Sequence, residues 1–231
     1  MPGSKYQVVQ ARAKRNKFKD GIQTIIVVLK PDLVDELKGL ASAGQEHHGR
    51  DPEVLKKVFK LWKKFKRIRF DTVIECENKQ LAYQEAIAMQ ERYKEKLIPS
   101  RIHGDRTADY RVYAFHLDPS VWQDSTFNGL NTSNEAREVP AFYVGQTSKT
   151  IEERYAQHID ASSRLSSKWG KKYFLQPFNE AWSDLVQEMM VEYEEQSGVK
   201  LQVGLLHSQS ILHELRFTEF LRSEGFGAYS A

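Results

Sequence analysis

Residues 141–158, AFYVGQTSKTIEERYAQH, decide the fold of the second half of the chain. Ala141 to Gly145 is apolar and aromatic and closes on a glycine, the composition of a short buried strand. From Thr150 to Ala161 the pattern changes to that of a helix. Within it Arg154 and His158 stand at i and i+4 and share one face. Upstream, Tyr110 to Leu117 (YRVYAFHL) predicts another strand, and residues 118–140, rich in Asp, Ser, Asn, Thr and Gly, predict a long loop. Downstream, Asn179 to Gln196 predicts a helix ending near Gly198, Val199 to Leu206 a third strand, and Ser210 to Ser223 a last helix stopped by Gly225. The expected fold class is α+β: a small three-stranded antiparallel sheet flanked by helices.

The first hundred residues are different in kind. Residues 1–20 have the composition of a basic flexible arm. Thr24 to Lys30 (TIIVVLK) predicts a strand, and Pro31 onward a helix with proline in its first turn and Gly44 near its end. Asp51 and Pro52 suit the start of a further helix. Its apolar residues Leu55, Val58, Phe59, Trp62 and Phe65 fall near helical spacing, while Lys56, Lys57, Lys60, Lys63, Lys64, Lys66, Arg67 and Arg69 supply cations with no acid between Leu55 and Phe70. Phe70 to Glu75 alternates like a strand, and Asn78 to Leu97 predicts a helix. Pro99, Ser100, Gly104 and Asp105 mark a break, so the expected organisation is an N-terminal mixed, mainly helical basic domain over 1–104 and a second domain over 105–231.

Composition bounds the classes. With 231 residues, 40% hydrophobic and 28% charged, the chain has enough apolar side chain to bury a core. No apolar run approaches the ~18 residues of a membrane span, and Met1 to Lys19 lacks the apolar segment of a secretory signal. The single cysteine, Cys76, has no internal disulfide partner and belongs to no Cys-rich zinc site; on a predicted strand it is expected to be a small buried hydrophobe. A cytoplasmic location is the expectation, with no membrane partner. The net charge of +3 hides an asymmetry: residues 1–100 carry 21 Lys+Arg against 13 Asp+Glu, and the remainder 13 against 18. A basic half beside an acidic one suggests a polyanion-binding part joined to a part with another task.

Taken singly, the candidate residues have plain readings. A tyrosine on a strand is usually core, Arg154 and His158 would make an ordinary helix face, and His47 and His48 in a Gly-flanked loop are more often solvated than metal-bound. The basic stretch 55–69, read first as a phosphate-backbone contact, has as alternatives a solvated helix packed by its oily face and, behind that, a helix on a membrane surface. Taken together they form an ordered set: Tyr113 and Tyr143 on the first two strands, Gly145 and Thr147, then Arg154 and His158, then Glu214 early in the last helix.

That set resembles the GIY-YIG nuclease family. Val112-Tyr113 corresponds to the first half-motif and Tyr143-Val144-Gly145 to the second; YVGQTSKTIEERYAQH is similar to the family's YIG-x-T…R-x-x-x-H continuation, and HELRFTEFLRSEGF to its glutamate helix. The resemblance covers about residues 108–228. Three features depart from it. Arg111 stands where the family has Gly, the tyrosines are 30 positions apart, and Phe226, Gly227 and Ala228 stand where the family has Asn.

The resemblance implies a divalent-metal-dependent endonuclease. Tyr113 would be the general base or water positioner, Tyr143 a hydrogen-bond donor to phosphate or water, Arg154 the bidentate partner of the scissile phosphate, and His158 a proton relay. Glu214 would hold one Mg²⁺ (or Mn²⁺), which keeps most of its waters. Glu219, on the same helix, competes for that role; Phe217 and Leu221, three and seven residues after Glu214, favour Glu214. Gly145 is expected to serve the backbone at a strand end. Lys56, Lys57, Lys60, Lys63, Lys64 and Arg67 would contact DNA phosphates. Cutting both strands calls for two copies or rebinding, so a homodimer is one partner to test. The rivals are a nuclease acting on RNA and a nucleic-acid-binding module that kept the fold without turnover.

Overall fold

The computed structural model describes residues 6–13, 24–34, 37, 65–105, 107–132, 139–160 and 174–230. The chain divides into two compact units, Met1–Asp105 and Arg106–Ala231. Each is α+β, built around a small mixed sheet.

In the first unit, β1 (Tyr6–Ala13), β2 (Thr24–Leu29), β3 (Phe65–Cys76) and β4 (Ser100–Ile102) form a four-stranded sheet in the order β3-β1-β2-β4. β1 runs antiparallel to β2 and β3, and β2 runs parallel to β4. Helix α1 (Lys79–Glu95) begins at Asn78, whose side chain accepts from the Leu81 N–H at 2.8 Å. It buries Ala82, Ala86 and Met89, one helical stripe, against Val8, Ile26 and Ile102 of the sheet. Cys76 is buried in this same core.

This corrects several expectations. The basic arm contains a central strand, because Val8, Val9 and Ala11 are all buried and its backbone groups pair on both sides. Phe65 to Arg69 belongs to β3 and not to a helix; its ladder with β1 takes up the irregular pattern in register shifts near Val8/Gln10 and Arg12/Ala13. Lys56, Lys57, Lys60, Lys63 and Lys64 lie outside the described residues, as do His47 and His48, and Arg67 lies on β3. The supposed linker holds β4. Among the described residues this unit is a sheet with one long helix and a helical start over 31–34; residues 38–64, where the sequence predicts the further helix, lie outside them.

In the second unit, β5 (Arg111–His116), β6 (Ala141–Thr147) and β7 (Gly227–Ser230) form a three-stranded sheet in that order. β5 and β6 are antiparallel, but β6 and β7 are parallel, so the sheet is mixed and not antiparallel. Among the described residues the helices of this unit are α2 (Ser125–Leu130), α3 (Ile151–Ile159), α4 (Phe178–Ala181), α5 (Asp184–Ser197) and α6 (His207–Ser223). Both faces of the sheet are covered. Val112, Ala114, Phe142, Val144 and Ala228 pack on Val186, Met190 and Tyr193 of α5 and Phe217 and Leu221 of α6. Tyr113, Phe115, Ala141 and Tyr143 pack on Ile151, Ala181, Trp122 and Phe127. Two covered faces explain why AFYV is apolar without alternation. Each such large side chain contributes ~1.5–3 kcal/mol by leaving water.

The third strand is not where its sequence pattern placed it. Val199 to Leu206 runs beside β5 and bonds it at separated points, Val112 N–H to Leu201 O and the Tyr110/Leu205 pair, while Gly204 turns the chain at φ 45°. β7 takes the third place. Its first residue, Gly227, is pressed on by Trp122: a Cβ there would lie 2.7 Å from Cη2 of the indole. Its second, Ala228, donates its N–H to Asn131 Oδ1 at 2.9 Å, and Arg222 closes the clamp by donating to Ala228 O and to Asn131 Oδ1. The 118–140 loop therefore carries structure: a 3₁₀ turn over Pro119–Gln123 and α2, capped by Asp118 and Asp124 respectively. Likewise the expected 179–196 helix breaks at Trp182 and Ser183 into α4 and α5.

Candidate active site

β5 and β6 set two residues directly opposite each other, Tyr113 and Gly145. The Tyr113 ring lies across that glycine. A Cβ on Gly145 would fall on the phenol oxygen and come within 2.6 Å of Cζ. Gly145 is thus a mid-strand contact position for the tyrosine and not only a strand-end backbone requirement.

A short turn then delivers α3 over the phenol. Thr147 Oγ1 accepts from the Lys149 N–H at 3.0 Å, and Thr150 and Glu153 form a reciprocal capping box. Helical spacing brings Arg154 and His158 to one atom. Arg154 Nε–H donates to the Tyr113 oxygen at 2.9 Å, and His158 Nε2 lies 2.8 Å from the same oxygen. Arg154 also donates through Nη1 to Gln157 Oε1 at 3.1 Å. Tyr143 completes the group: its ring stands edge-on to His158 at 5.0 Å and 6.3 Å from Tyr113.

Burial holds the Tyr113 pKa well above the ordinary 10, and the nearby Tyr143 and Glu214 push the same way; the Arg154 charge and hydrogen bond oppose them. The phenol is therefore protonated at neutral pH. Its hydrogen is available to His158 Nε2 while its oxygen accepts from Arg154. Tyr113, His158 and Tyr143 are each at most 2% exposed, whereas Arg154 is half-buried and gives the group a solvent-reachable cation.

Glu214 comes from α6 and is 5% exposed. Its charge raises the pKa of both Tyr113 and Tyr229, which places its field at the phenol cluster. Glu219 is exposed, and its charge acts on Tyr193 and Arg222 instead. The two glutamates therefore serve different surroundings. Among the described residues no group of three His, Cys, Asp or Glu side chains is placed to hold a metal. What the site offers is one carboxylate among phenols and a guanidinium. That donor set suits a hard, largely hydrated cation and not a zinc-type ion.

Two contributors are absent from the sequence-based set. Tyr229 pairs with Tyr143 across the β6–β7 ladder, their rings 6.4 Å apart, and is only half-buried. Asn131 fixes the strand that carries it. The short run GAYS after Gly225, with its single aromatic, is the available signal for β7; nothing in the sequence marks Asn131. The lysines expected to contact phosphate lie outside the described residues, and Arg67 belongs to the first unit. No described helix is long and apolar enough to cross a membrane. No protein-family model, curated protein or solved structure matches the chain.

Proposed function

We propose that the chain is a divalent-metal-dependent endonuclease of the GIY-YIG type, hydrolysing DNA phosphodiester bonds. The observation that carries this reading is the convergence of Arg154 Nε and His158 Nε2 on the Tyr113 oxygen, with the Glu214 carboxylate acting on the same phenol.

Phosphodiester hydrolysis needs a proton acceptor for water and positive charge at the phosphoryl oxygens. A phenol whose pKa is held high is a poor base alone. Paired with His158 it becomes a relay: the oxygen takes a proton from water as its own hydrogen passes to Nε2. Arg154 stabilises the oxygen during that exchange and, being half-buried, presents its outer N–H groups to a phosphate. Tyr143 holds the His158 ring by edge contact. Glu214 would hold the metal ion, which when bound supplies Lewis-acid charge to the phosphate. The basic first unit would add sequence-independent affinity for the DNA backbone.

A second reading, a nucleic-acid-binding module without turnover, is favoured by the near-complete burial of Tyr113, His158 and Tyr143. Supercoiled-plasmid cleavage separates the two. Nicked or linear product with Mg²⁺, none with EDTA and none with Glu214→Ala is expected of the nuclease. DNA binding without product under any condition would establish the module instead.

A further inference from the structure

We infer that Arg111 is a second phosphate-binding group of this site, taking the phosphate beside the one bound at Arg154 on the same DNA strand; the inference rests on the nucleic-acid reading above. Arg111 opens β5 opposite Thr147. Residues 111, 113 and 115 of a strand point to one face, so Arg111 shares the face of Tyr113 at a backbone separation of about 7 Å, two residues of strand rise.

The guanidinium is half-buried there, and its Nε is buried with no hydrogen-bond partner among the described residues. Two polar groups on the same sheet face are engaged elsewhere. Thr147 Oγ1 takes the Lys149 N–H, and the Tyr113 oxygen is held by Arg154 and His158. Among the described residues no carboxylate pairs with it. A permanently charged guanidinium whose buried Nε–H has no partner among the described residues costs stability, and that cost is recovered when an anion arrives. Phosphate oxygens match the fork bidentately. Arg154 already occupies the reacting group, so Arg111 serves the neighbouring phosphate and contributes positioning rather than base recognition.

The test is fluorescence anisotropy of a fluorescein-labelled DNA duplex with the full chain in EDTA, so that no strand is cut. Wild type, Arg111→Gln and Arg111→Lys are titrated at several salt concentrations, with thermal melting of each protein. The slope of log affinity against log salt is expected to fall by about one for Arg111→Gln and to return for Arg111→Lys. The Arg111→Gln melting midpoint is expected to equal or exceed that of wild type. An unchanged slope, with wild type binding DNA, overturns the role of Arg111 and leaves the nuclease reading standing. A lower midpoint with an unchanged slope makes Arg111 structural and has the same consequence. Failure of wild type to bind DNA overturns the nucleic-acid reading and this inference with it.

Discussion

The Tyr113 phenol occupies the space that a side chain on Gly145 would fill, and the two residues face each other in the β5–β6 ladder. The position of the phenol oxygen is therefore fixed from below by a missing Cβ and from above by Arg154 and His158. A rigid sheet and a capped helix hold it, which is how a site is kept in productive geometry.

Gly145→Ala is expected to destabilise the protein by about 1–3 kcal/mol through overpacking and to lower cleavage at least tenfold by moving the phenol. Tyr113→Ala removes the obstruction. In that background Gly145→Ala should cost almost nothing in urea unfolding, a coupling that a double-mutant cycle measures. Equal costs in both backgrounds would show that the ring does not lie on Gly145.

Glu214→Gln is expected to reduce metal-dependent cleavage by about 10²–10³-fold, the scale of losing one preorganised electrostatic contact. Glu219→Gln should stay within about twofold, because that side chain is exposed and acts on Tyr193 and Arg222. Turnover under matched Mg²⁺ checks both. Similar losses in the two variants would remove Glu214 from its assigned place.

The parts of the site that were legible in the sequence are those with local geometry. Arg154 and His158 share a helix face because of 3.6-residue periodicity, and that periodicity is visible in the chain itself. Tyr113 and Tyr143 sit on strands whose apolar composition shows them. What was not legible depends on contacts far apart in sequence. Val199 to Leu206 has the right composition for the third strand, yet β7 takes that place because Asn131, Arg222 and Trp122 receive it. The strand at Tyr6–Ala13 reads as part of a basic arm because charge outweighs three apolar residues, Val8, Val9 and Ala11, in a short window. Phe65 to Arg69 fits helical and strand spacing alike, and tertiary pairing with β1 decided it.

Asn131→Ala is expected to cost about 1–3 kcal/mol, because it leaves the Ala228 N–H without its acceptor in a buried position. The loss should appear first as exchange of the β7 amides, since β7 is an edge strand tied down by this clamp. Hydrogen exchange of residues 227–230 reports it. Protection there equal to wild type would mean that Arg222 alone holds the strand. Because β7 carries Tyr229 to the site, cleavage should fall along with that protection.

Alkaline pH should unfold this protein through its tyrosines. Burial pushes the pKa of Tyr113 well above 10 and that of Tyr83 and Tyr193 up to about 12. A phenol is neutral when protonated, so a raised pKa in the folded state means the fold binds that proton more tightly than the unfolded chain does. The resulting stability is complete below the unfolded value of ~10 and is lost as pH climbs through the folded values. Stability from urea unfolding should thus be flat from about pH 8 to 9.5 and fall steeply above 10, by at most ~1.4 kcal/mol per pH unit for each ionising phenol. Tyr113→Phe should flatten the fall by one proton's share while leaving the neutral plateau lower, because Arg154 and His158 lose their common partner. An alkaline limb identical in wild type and Tyr113→Phe would show that the phenol ionises as easily in the fold as in water, and the proton relay with His158 would lose its basis.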